Sequence, residues 1–210
     1  MTLREALAAC PLVAILRGVT PAEITDVADV LFEAGFRIIE VPLNSPDPFA
    51  SIGKLAKSHG ERALIGAGTM LEPEQCRRLA DVGGRLMVAP NYAPDVVAEA
   101  QASGLATLPG VATPSEAFAA LRQGADALKL FPAEAMEPRA LKAWRSVMPK
   151  DALLLPVGGI DTTTMAPWCQ AGASGFGLGS SLYRPGISFD QLAEKARGLV
   201  AAARTAFPAG

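Results

Sequence analysis

Hydrophobic and polar positions along the chain fall into a recurring phrase. A stretch with helical spacing ends in small residues and a glycine, a short apolar run follows, and the run usually stops at a proline. It appears as Glu33-Ala34-Gly35 before Arg37 to Pro42, as Asp81-Val82-Gly83 before Arg85 to Pro90, and as Ala102-Ser103-Gly104 before Leu105 to Pro109. It returns as Arg122-Gln123-Gly124 before Asp126 to Pro132, and as Gln170-Ala171-Gly172 before Ser174 to Leu178. The glycine suits the left-handed position that closes a helix, and the apolar runs are too continuous for strands with one wet face. Helix starts carry matching signals. Thr20-Pro21-Ala22-Glu23 and Thr113-Pro114-Ser115-Glu116 each offer a capping threonine, a proline at the first helical position and a reciprocal glutamate. Filling the gaps predicts strands near 12–17, 37–41, 63–67, 85–89, 105–108, 126–131, 153–157 and 174–178, with helices between and a last helix near 188–206.

A short helical pattern at the N-terminus followed by eight strand–helix units predicts a TIM (β/α)8 barrel. A doubly wound open sheet is the alternative, but it would normally need fewer strands and a glycine-rich first turn. Gly66-Ala67-Gly68 comes after the third strand and lacks the further glycine of a dinucleotide fingerprint. The length, 210 residues with 50% apolar positions, suits one barrel domain spanning 1–210.

Charge and cysteines narrow the function. A net charge of -2, with no basic run beyond Arg77-Arg78, gives no field for a nucleic-acid backbone. Cys10, Cys76 and Cys169 are odd in number and far apart, so neither a disulfide frame nor a zinc site is expected. No apolar run reaches membrane-spanning length and residues 1–10 lack a signal-peptide core, so the expectation is a soluble, cytoplasmic protein. The single histidine, His59, ends a helix beside Ser58 and Gly60 and reads as a surface residue, which disfavours metal-assisted chemistry; no metal or cofactor is expected.

Barrel chemistry lies at the C-terminal ends of the strands. Arg17, Glu40, Thr69, Pro90-Asn91 and Lys129 fall there. Arg17 could be a solvated loop charge, and Thr69 and Asn91 could be turn residues. Glu40 lies among Ile38, Ile39 and Val41, where a carboxylate is seldom left unpaired. Lys129 is the one lysine on a strand; the others, at 54, 57, 142, 150 and 195, fall on helices or loops. Alternation puts Leu128 and Leu130 on one face and Ala127, Lys129 and Phe131 on the other. Desolvation lowers an amine's pKa, and a neutral amine in an apolar pocket is what Schiff-base chemistry requires; a purely structural Lys129–Glu40 ion pair is the bland alternative. Val157-Gly158-Gly159 after strand seven and Gly179-Ser180 after strand eight are glycine turns where barrels of this kind bind phosphate.

These residues resemble the pyruvate-dependent class I aldolases that cleave 2-dehydro-3-deoxy-6-phospho sugar acids. The likeness runs through Ile15-Leu16-Arg17-Gly18, Glu40-Val41-Pro42-Leu43-Asn44-Ser45-Pro46, Gly66-Ala67-Gly68-Thr69, Leu128-Lys129-Leu130-Phe131-Pro132, Gly158-Gly159 and Gly179-Ser180, over nearly the full chain. The resemblance implies that Lys129 forms the Schiff base, that Glu40 is the general acid and base, and that Arg17 and Thr69 hold the carboxylate end. It implies that Pro90 and Phe131 wall the pyruvyl group, that Gly158, Gly159, Gly179 and Ser180 bind phosphate, and that the chain forms a homotrimer. The gluconate-type branch carries arginine at the position of Asn44 and threonine at that of Val157, and the chain looks similar to the galactonate-type branch at both. That likeness implies cleavage of 2-dehydro-3-deoxy-6-phosphogalactonate to pyruvate and D-glyceraldehyde 3-phosphate, with the phosphogluconate or 4-hydroxy-2-oxoglutarate substrates as the alternative. The rival readings of the same residues are a phosphate-binding barrel without catalysis, and a phosphosugar isomerase or epimerase, whose metal-dependent forms need several histidines or aspartates at strand ends that this chain lacks.

Overall fold

The computed structural model describes residues 1–207. Helix α1 (Leu3–Ala9) starts in a capping box in which Thr2 Oγ1 accepts from Glu5 N at 3.2 Å and Glu5 Oε2 accepts from Thr2 N at 2.8 Å. The strands that follow are β1 (Leu12–Ile15), β2 (Ile38–Pro42), β3 (Leu64–Gly68), β4 (Leu86–Val88), β5 (Ala106–Leu108), β6 (Gly110–Val111), β7 (Leu128–Leu130), β8 (Leu154–Pro156) and β9 (Phe176–Leu178). Between and after them run α2 (Ile24–Ala34), α3 (Pro48–His59), α4 (Pro73–Asp81), α5 (Pro94–Ala102), α6 (Pro114–Arg122), α7 (Pro138–Arg145), α8 (Met165–Gln170) and α9 (Phe189–Ala206).

Every strand pairing is parallel, in the orders β5-β4-β3-β2-β1-β9 and β6-β7-β8. Two links join these sheets into the expected barrel of eight staves. Val157 bridges Gly177, bringing β8 to β9. The fifth stave continues from β5 to β6 across Pro109, where Ala127 N donates to Thr107 O at 3.2 Å and Lys129 N to Pro109 O at 2.9 Å. The sequence reading ends that strand at 108 because a proline cannot donate to the ladder; the backbone instead carries on as two more strand residues.

The strands are buried on both faces, as the unbroken apolar runs require. Outward residues such as Ile39, Ile65, Met87, Leu128 and Leu130 pack on the helices. Inward residues Val13, Ile38, Leu64, Leu86 and Leu155 form an inner core with Leu3, Ala6 and Leu7, so α1 plugs the end of the barrel where the strands begin. Gly35, Gly83, Gly104, Gly124 and Gly172 all have positive φ, between 72° and 113°, which is the conformation the repeated phrase demands of its glycine.

Three local expectations need correction. Strand β1 ends at Ile15, not 17, which leaves Arg17 in the following turn. The two threonine starts are not copies. Thr113 makes the full capping box, whereas α2 begins at Ile24 after a turn in which Glu23 Oε1 accepts from Thr20 N and Oγ1, both at 3.0 Å, without a returning bond from the threonine side chain. His59 is not a surface residue. It is 2% exposed, with Nε2 at 2.9 Å from Asp29 Oδ1 of α2 and Nδ1 at 2.8 Å from Ser58 Oγ, because the end of α3 packs onto α2.

Candidate active site

At the C-terminal ends of the strands lies a cavity of about 890 Å³. Arg17, Thr69, Pro90, Lys129, Phe131, Val157, Gly158, Gly159, Gly179 and Ser180 all line it. Glu40 is not part of that lining but has its carboxyl against Gly68, next to the lining residue Thr69, and Asn91 falls outside it, using its carbonyl to accept from Gly110 N at 3.3 Å as a turn residue does.

Lys129 reaches the cavity because Leu128 and Leu130 are committed to the helix side of β7. It is 6% exposed, and its Nζ stands 4.6 Å from the centroid of the Phe131 ring. Burial pushes the amine below its ordinary pKa; Glu40 opposes that shift and Arg17 adds to it. Glu40, on β2, is 2% exposed, and burial pushes its carboxyl up to about 7, with Lys129 and Arg17 pulling the other way. Its Oε2 is sealed from solvent without a hydrogen-bond partner, and no ion pair joins it to Lys129. No salt bridge pairs the two groups, and burial shifts each toward its neutral form.

Gly68, at the end of β3, makes room for this arrangement. A side chain at that position would overlap the Glu40 carboxyl group, so the glycine sets where the carboxyl sits. Thr69 follows at φ 58°, a left-handed conformation that costs a β-branched residue energy and turns it onto the cavity wall. Arg17 is exposed at the mouth, and its Nη1 donates to Asn44 Oδ1.

Across the cavity, Val157 is 6% exposed and leads into Gly158 and Gly159 at φ 106° and 67°, a backbone that only glycine adopts without strain. After β9, Gly179 and Ser180 open a turn in which Leu182 N and Tyr183 N both donate to Gly179 O at 2.9 Å. Two such turns side by side can present N–H groups to an anion. Glu134, Asp161, Tyr183 and Arg184 also line this end and were missed in the sequence. Asp161 is tied up, since its Oδ1 accepts from Thr163 N, Thr163 Oγ1 and Thr164 N at 2.8, 2.7 and 3.1 Å. Arg184 is exposed, and its signal was present in the stretch Leu178 to Arg184, whose last residue is a cation one turn past the glycines. Among the described residues no cluster of three metal-ligating side chains occurs, and no helix is long and apolar enough to cross a membrane.

The family model described as KDPG and KHG aldolase matches residues 3–194. A Rhizobium meliloti (strain 1021) protein named "Probable 2-dehydro-3-deoxy-6-phosphogalactonate aldolase" is 49% identical over 91% of both chains. The Escherichia coli (strain K12) 2-dehydro-3-deoxy-6-phosphogalactonate aldolase is 45% identical over 93% of this chain and 96% of its own. The solved structure titled "Native KDPGal structure" superposes with a TM-score of 0.92 at 45% identity, covering 93% of this chain and 95% of that one. Family model, relatives and solved structure agree: the chain belongs to the KDPG and KHG aldolase family.

Proposed function

We propose that the chain cleaves 2-dehydro-3-deoxy-6-phosphogalactonate to pyruvate and D-glyceraldehyde 3-phosphate through a Schiff base on Lys129. The observation that carries this reading is a buried amine with lowered pKa facing an unpaired buried carboxyl, at one end of a cavity whose other end holds two glycine turns. Neutral Lys129 Nζ adds to the C2 ketone and the carbinolamine loses water to give an iminium. Glu40 takes the proton of the C4 hydroxyl, the C3–C4 bond breaks, and its electron pair neutralises the iminium as an enamine. The aldehyde leaves, Glu40 returns the proton to C3, and water releases pyruvate from the lysine. A carboxyl with a pKa about 7 suits both transfers near neutrality.

Arg17 and Thr69 hold the carboxylate, Pro90 and Phe131 wall the pyruvyl group, and Gly158, Gly159, Gly179 and Ser180 bind phosphate with Arg184 at the rim. The galactonate epimer is favoured by the names of the two relatives and by Val157, an apolar side chain at the cavity wall. The family resemblance further supports a cytoplasmic homotrimer, which light scattering would test. Reduction with borohydride in the presence of pyruvate should leave a mass adduct on Lys129; cleavage activity with an unmodified lysine would refute the Schiff base. Kinetics on the phosphogalactonate and phosphogluconate substrates should favour the former, with Val157→Thr narrowing the ratio roughly tenfold, as one hydroxyl in a pocket does.

A further inference from the structure

Arg17 is a long cation on the rim of the cavity, exposed and without a carboxylate partner among the described residues. Left to itself such a side chain would sample many rotamers, and little binding energy would come from it. One contact restrains it: Nη1 donates to Asn44 Oδ1. Asn44 is exposed, but the backbone that carries it is tied down on both sides. Leu43 N donates to Gly68 O at 2.8 Å, Ser45 N donates to Pro42 O at 2.9 Å, and Ser45 Oγ, on a residue 8% exposed, accepts from Gly18 N at 2.9 Å. The turn that carries Arg17 and the turn that carries Asn44 are thus clamped together by the Gly18–Ser45 bond, which keeps the Asn44 acceptor within reach of Arg17.

We propose that Asn44 is a positioning residue for substrate recognition, holding the Arg17 guanidinium in place to meet the carboxylate of the pyruvyl group. The inference rests on the aldolase reading above and assigns a role to a side chain outside the cavity lining. Arg17 then does two things from one fixed place. It offers N–H donors to the substrate carboxylate, and it contributes a positive charge near the reacting amine. The charged groups around Lys129 are Glu40 from β2 and Arg17 from the turn after β1, with Glu134, Asp161 and Arg184 across the same cavity. Arg17 favours the neutral amine, so a wandering Arg17 lets the Lys129 pKa rise. Schiff-base formation needs the neutral form; the acidic limb of the rate profile therefore moves to higher pH.

The test is exchange of pyruvate methyl protons in deuterated water, followed by NMR, which reports enamine formation without the second substrate. Asn44→Leu, which keeps the size and removes the acceptor, should raise KM for pyruvate roughly tenfold or more, as loss of an oriented charged hydrogen bond does, with kcat nearly unchanged. Its acidic limb should move upward in pH. Asn44→Gln, which keeps a neutral amide acceptor, should stay near the parent enzyme in both respects, and Asn44→Leu should add nothing in an Arg17→Ala background. The proposal is overturned if Asn44→Leu leaves KM and the limb in place, if Asn44→Gln falls as far as Asn44→Leu, or if the leucine effect persists without Arg17. Failure of the parent enzyme to exchange pyruvate protons would instead bring down the aldolase reading on which the inference stands.

Discussion

Replacing Gly68 with alanine should cost this enzyme both stability and activity, and for a single identifiable reason. Gly68 is not at positive φ, so its backbone accepts an L side chain; what forbids one is the Glu40 carboxyl, which an added methyl would overlap. In a barrel interior neither neighbour can retreat far, and overpacking of this kind costs about 1–3 kcal/mol. We place Gly68→Ala near the top of that range because the displaced group is polar and 2% exposed. For a chain of this size, about 2–4 °C of Tm accompanies each kcal/mol, so a drop of roughly 6–12 °C is expected. Urea unfolding measures the loss, and pyruvate proton exchange measures the displaced carboxyl. A double-mutant cycle identifies the cause. In a Glu40→Ala background the methyl gains room, and Gly68→Ala should cost close to nothing. Gly66→Ala is the control, since a methyl at Gly66 meets the Leu86 backbone carbonyl, which Glu40→Ala does not relieve. A Gly68→Ala protein within about 0.5 kcal/mol of the parent and still exchanging, or a cost undiminished without Glu40, would refute the reasoning.

Three further outcomes follow from the same geometry. Lys129→Met should abolish exchange yet raise stability by roughly 1 kcal/mol at neutral pH, because a desolvated amine is replaced by an apolar chain; the folded-state amine pKa is lowered, so the gain should shrink as pH climbs toward 10.5, seen in urea unfolding at several pH values. The Glu40 carboxyl is raised from 4.5 to about 7, so its contribution to stability is fully present below pH 4.5 and lost as pH rises through 7; Glu40→Gln should remove that decline in a stability–pH profile. Arg184→Ala should raise KM for the phosphorylated substrate several-fold while leaving pyruvate exchange untouched, which steady-state kinetics and NMR together would show.

Much of this architecture was legible in the sequence because its signals are local. A glycine that must adopt positive φ and an apolar run too continuous for one wet face recur five times, and the alternation around Lys129 follows from the pleat of a strand. Where the reading fell short, the deciding contact came from another part of the chain. His59 is buried by α2, thirty positions away, and nothing in Ser58-His59-Gly60 announces it. Pro109 interrupts donation without interrupting the stave, because its neighbours still accept and donate across the gap. Gly66-Ala67-Gly68 looked like a weak cofactor signal, but its glycines answer to Leu86 and Glu40 on the adjoining strands. Asn44 stood out only as a departure from one branch of the family; its hydrogen bond to Arg17 depends on how two turns meet.

The plug at the base of the barrel bears on the order of events. With Leu3, Ala6 and Leu7 filling one end, the cavity at the other end serves as a cup in which the first group in is the last group out. On the proposed reaction, the pyruvyl part is the deepest and covalently moored, while the phosphorylated aldehyde occupies the exit. The aldehyde must then depart before pyruvate can, and water must follow it down to free the lysine. The order set by the covalent bond and the closed floor of the barrel then point the same way, with both products leaving through the mouth at the strand ends.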